Sequence, residues 1–135
     1  MKFKFLIFLL FVAHANAGEI NYSKISEAHS VRQGKALIRY FQIYGEPCTY
    51  FQFIDSKNKW SVATTEKFCS LDGKSFWTDF SDAEVTNIKI FDGGVSMDLS
   101  ITPLEPTGEQ KKKCFMPISK ETFGTVDCKP AQIED

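Results

Sequence analysis

The sequence predicts an α+β fold, with one N-terminal helix packed on a curved antiparallel sheet of roughly six to eight short strands and two disulfides holding the unit together. Three observations carry this: helically spaced apolar residues between Ser23 and Tyr44, short β-rich runs divided by turn residues after Pro47, and four cysteines behind an export leader. An all-β sandwich or barrel is the alternative, because the stretch from Ala36 to Tyr44 also reads as a strand.

The leader comes first. Lys2 and Lys4 give a positive start, Phe5 to Ala13 is an apolar run of nine residues, and Ala15-Asn16-Ala17 places small residues where a signal peptidase reads. A membrane crossing needs about 20 apolar residues, so the run predicts a cleaved signal peptide over residues 1–17 and no membrane anchor. No cysteine stands at or just after the cleavage point, which argues against a lipid-modified amino terminus and for a soluble product. The alanine-rich cleavage region suits a Gram-negative exporter, and the predicted location is periplasmic or secreted. Residues 18–135 then form a single globular domain, a length that buries a core but profits from cross-links.

Removing Lys2 and Lys4 leaves 14 basic residues against 17 acidic ones, a net charge of −3. A nucleic-acid or anionic-membrane partner would favour a basic, clustered face. The only basic run, Lys111-Lys112-Lys113, reads as a solvated strand edge.

Cys48, Cys69, Cys114 and Cys128 form an even set in an exported chain and predict two disulfides. Of the three possible pairings, the local one, Cys48 with Cys69 and Cys114 with Cys128, clamps strands close in sequence and is favoured. A zinc site is not indicated, because there is no C-x-x-C pair and a single histidine, His29, follows the leader.

Within the domain, Leu37, Tyr40, Phe41 and Tyr44 follow the i, i+3, i+4, i+7 spacing of a helix that Ser23 would cap and Gly45 with Pro47 would end. Gly34 interrupts that helix and keeps the strand reading open. After it, Thr49 to Ile54 and Trp60 to Thr65 flank a Ser56-Lys57-Asn58 turn. Lys67 to Leu71 and Lys74 to Phe80 flank Asp72-Gly73, a pair suited to a tight hairpin. Glu84 to Phe91 passes through Asp92-Gly93-Gly94 into Val95 to Ile101, where Val95, Met97, Leu99 and Ile101 share one face. Pro103, Pro106 and Thr107-Gly108 make a loop before short strands around Cys114-Phe115 and Thr125 to Cys128.

No catalytic constellation emerges. A Ser-His triad would have to use His29, and Ser96 lies on the polar face of a strand without the closing glycine of a nucleophile elbow. Asp79, Asp82 and Glu84 are the densest acidic group; they read as turn solvation, with calcium binding and glycosidase chemistry as lesser readings. Asn21-Tyr22-Ser23 matches a glycosylation sequon of consequence only in a eukaryote. No cofactor or metal is implied.

The aromatic content is high: nine phenylalanines, four tyrosines and two tryptophans follow the leader. Neighbours such as Tyr50-Phe51 and Phe76-Trp77 point to opposite faces of a strand, so both faces of the sheet carry rings. Tyr50, Trp60, Phe76 and Trp77 are the candidate binding residues if one such face is open. The expectation is a non-enzymatic exported binding protein, a periplasmic inhibitor or immunity protein whose partner is another protein, a toxin or a cell-wall hydrolase. The alternatives are a secreted hydrolase or effector acting through Asp79, Asp82 or Glu84, and a carrier whose apolar ligand would touch Tyr40, Phe41 and Met97.

Overall fold

The computed structural model describes residues 19–131, and the expected signal peptide lies outside them. The first sheet is a meander of β1 (Ile25–Gln33), β2 (Ala36–Ile43), β3 (Thr49–Asp55) and β4 (Ser61–Phe68), hydrogen-bonded in that order. A small hairpin of β5 (Ser70–Leu71) and β6 (Lys74–Ser75) leads to the second sheet. There β7 (Phe80–Phe91), β8 (Gly94–Pro103) and β9 (Gln110–Ser119) run antiparallel, and β10 (Thr122–Phe123) and β11 (Asp127–Pro130) share the remaining edge of β9. The two sheets form an antiparallel half-barrel.

The expected α+β architecture is overturned: the only helical segments among the described residues are two 3-10 turns, Tyr22–Lys24 and Ser56–Asn58. Where a helix was predicted, β1 and β2 form a hairpin, and Gly34 adopts the left-handed backbone (φ +58°) of its two-residue loop. The misleading signal has a physical cause. Both faces of β2 are covered, Ile38 and Tyr40 on one side and Phe41 and Ile43 on the other. A strand buried on both faces loses its period-two pattern, and its apolar residues then fall at helical spacing by coincidence. Ser23 caps no helix; Asn21 instead caps the 3-10 turn, its side chain accepting from the Ser23 amide at 3.2 Å.

Elsewhere the turn residues lie where the sequence places them. Asp72 and Gly73 take left-handed angles between β5 and β6, and Asp92-Gly93 is the two-residue link that pairs Phe91 with Gly94. The core lies between the sheets, where Tyr40 and Phe51 meet Val85, Val95, Met97, Leu99, Ile101 and Met116. Along β7, which pairs only with β8, backbone carbonyls remain for other donors. Gln42 Nε2 donates to the Val85 carbonyl at 2.9 Å and Gln33 Nε2 to that of Phe91 at 2.7 Å, tying the first sheet to this edge.

The disulfides pair Cys48 with Cys69 and Cys114 with Cys128. The first extends the β3–β4 ladder by one step beyond Thr49 and Phe68; the second joins directly opposed residues of β9 and β11.

Candidate functional site

The outer face of the first sheet, turned away from the core, carries a second aromatic cluster. Register places three rows across it: Arg32, Leu37, Ile54 and Val62; Ser30, Arg39, Gln52 and Thr65; Ala28, Phe41, Tyr50 and Lys67. Phe41 and Tyr50 stack with parallel rings 5.0 Å apart and bury with Ile43 and Cys48, while Ile20 and Cys69 pack against them. The 3-10 turn at Tyr22–Lys24 lays the Tyr22 ring over Phe41, centroids 5.6 Å apart.

At the centre of this face lies Gln52, buried and fully hydrogen-bonded. Its Oε1 accepts from Arg39 Nε at 2.7 Å, and its Nε2 donates to the Tyr22 hydroxyl at 3.1 Å and to Thr65 Oγ1 at 3.2 Å. A buried amide left unpaired would be costly, so this network holds Arg39 and Tyr22 in one geometry. The Arg39 guanidinium lies 5.8 Å from the centroids of both Tyr22 and Phe41.

Trp60 stands at the corner, on the turn that joins β3 to β4. Lys59 and Trp60 both take positive φ, 53° and 58°, a conformation that costs a bulky residue about 1–2 kcal/mol. The strained turn holds the indole half-exposed, with the Arg32 guanidinium 5.5 Å from its ring centroid. Lys67 completes the set, 5.3 Å from the Tyr50 ring. All four cation–π contacts found among the described residues therefore lie on this one face, and Arg32 and Arg39 are the only arginines in the sequence. The Tyr50 hydroxyl donates to Glu46 Oε2 at 2.7 Å; burial first, and then this carboxylate, push its pKa up to about 12.

The four aromatic residues singled out from sequence do not form one site. Trp60 (50% exposed) belongs to this face, and Trp77 (52% exposed) stands on the turn between β6 and β7. Tyr50 (5%) lies beneath the face, and Phe76 (3%) is in the core, edge-on to Phe68 at 5.1 Å. Sequence reasoning missed Arg32, Arg39, Gln52 and the place of Tyr22 on this face. The scarcity of arginine was the available signal, but only the β1–β2 register brings the two together.

The carboxylates are spread over a turn and a strand. Asp79 Oδ2 accepts from the Ser75 amide at 2.7 Å, and Asp82 and Glu84 lie along β7 opposite Thr102 and Ser100. His29 is on β1 in the first sheet, 6.0 Å ring to ring from Tyr40, whereas Ser96 is on β8 in the second. Tyr40 and Met97 pack in the core and Phe41 on the opposite face of the first sheet, so these three line no common cavity. Among the described residues no three His, Cys, Asp or Glu side chains gather as a metal site, and no helix is long and apolar enough to cross a membrane.

No family model, curated protein or solved structure matches this chain.

Proposed function

We propose that this is an exported, non-enzymatic binding protein of the bacterial periplasm, an inhibitor or immunity protein that occludes a toxin or a cell-wall hydrolase through the outer face of its first sheet. The observation that carries the reading is the composition and rigidity of that face. Trp60, Tyr22, Arg32 and Arg39 are the residue types that dominate binding energy at protein interfaces. Here they are held in place beforehand, Arg39 and Tyr22 by Gln52 and Arg32 by the Trp60 ring. A surface already ordered loses less entropy on association. Both disulfides are compatible with an oxidising compartment, and the first braces the buried layer beneath the face.

The test is capture of a stoichiometric partner from periplasm by the disulfide-bonded protein, compared across two variants. Trp60→Ala with Arg39→Gln is expected to weaken capture by about a hundredfold, the sum of two interface anchors at about 1.4 kcal/mol each. Asp79→Asn, Asp82→Asn and Glu84→Gln together are expected to leave it intact. Equal capture by the first variant, or a hydrolytic activity abolished by the second, refutes the reading.

A further inference from the structure

Resting on the reading of this face as a binding surface, we infer that its partner presents paired carboxylates: the occupant is an acidic protein segment. Arg32 faces Leu37 across the β1–β2 pair and Arg39 lies two residues further along β2, which makes the arginines diagonal neighbours, about 7–8 Å apart at the backbone. Like charges at that spacing repel, and neither arginine forms an ion pair among the described residues. The single ion pair among the described residues joins Lys113 to Asp98 in the other sheet. On this side the Glu46 carboxylate accepts from the Tyr50 hydroxyl.

Among the described residues, no hydrogen bond occupies the terminal guanidinium nitrogens of either arginine. Arg39 spends Nε on Gln52, and its two terminal nitrogens remain as a fork. The Arg32 guanidinium carbon lies 5.5 Å from the Trp60 ring centroid, and its N–H groups make no hydrogen bond among the described residues. Planar forks of this kind match carboxylates in bidentate geometry, and Lys67 extends the positive strip along the row of Tyr50 and Phe41. In a protein expected to carry a net charge of −3, with both its arginines on one face, that strip is complementary to an acidic surface and would speed the encounter.

Trp60 reports on this site directly. With Trp77→Phe removing the only other tryptophan, the single-tryptophan protein is titrated with a hexaglutamate peptide while Trp60 emission is followed. A saturable change is expected. It should weaken about tenfold when Arg32→Gln and Arg39→Gln are combined, matching two exposed ion pairs of under about 1 kcal/mol each. It should also weaken when salt rises from about 0.05 M to about 0.5 M, which shortens the screening length roughly threefold. Arg32→Lys with Arg39→Lys keeps the charge and should bind at an intermediate level, separating the fork from simple attraction. Unchanged emission, or equal binding by the glutamine variant, overturns the inference. Tighter binding of inorganic polyphosphate or of phosphatidylglycerol vesicles than of the peptide also overturns it. Partner capture that is lost with Trp60→Ala but indifferent to salt would defeat the acidic occupant while leaving the face a binding surface.

Discussion

At the scale of single residues, close approaches and buried hydroxyls decide what this sequence tolerates. Gly94 begins β8 directly beneath the Phe115 ring: a Cβ there would sit 2.4 Å from Phe115 Cε2 and 2.8 Å from the Met116 carbonyl. Gly94→Ala is therefore expected to destabilise by about 1–3 kcal/mol in urea titration, the usual cost of overpacking. Phe115→Ala should recover only part of it, because the Met116 contact is with backbone. Tyr50 gives a pH signature. Its folded pKa is pushed up to about 12 from 10.0, by burial first and then by Glu46, so the folded chain keeps the phenol neutral where the unfolded chain ionises. The stability this brings is complete below pH 10.0 and is lost as pH rises towards about 12. Tyr50→Phe should flatten that part of the stability profile.

Between elements, the disulfides separate scaffold from site. Cys48–Cys69 closes a loop with a sequence separation of 21, and Cys114–Cys128 one of 14; each is worth about 3 kcal/mol in the chain-entropy account. Replacing either pair with alanine should lower the unfolding free energy, read by urea titration, by a similar amount. Only loss of Cys48–Cys69 should also weaken partner capture, because Cys48 packs with Phe41, Ile43 and Tyr50 under the face. What the sequence disclosed follows the same division. Turns fixed by local chemistry, such as Asp72-Gly73 and Asp92-Gly93, and the alternating β8 with one buried face, were legible residue by residue. β2 was not, because the second layer covering it is contributed by Ile20 and Tyr22, about 20 residues upstream, and periodicity carries no information about that contact. The site was half legible for the same reason. Trp60 stood out by type, but Arg32 and Arg39, seven residues apart, meet only through strand register.

For the whole molecule, the asymmetry between its two outer faces is the central fact. The second sheet turns outward an ion pair, Lys113 with Asp98, and the exposed rings of Phe91 and Phe115. The first gathers both arginines over aromatic rings, locked by a satisfied buried glutamine. Trp60 and Trp77 make this asymmetry measurable, since they are exposed almost equally, 50% and 52%, and only Trp60 belongs to the arginine face. Hydroxyl-radical footprinting of the protein alone and in complex with its captured partner compares the two in one experiment. Trp60 and Tyr22 are expected to become protected while Trp77 stays as reactive as before; protection of Trp77 with Trp60 left reactive would place the partner on another face.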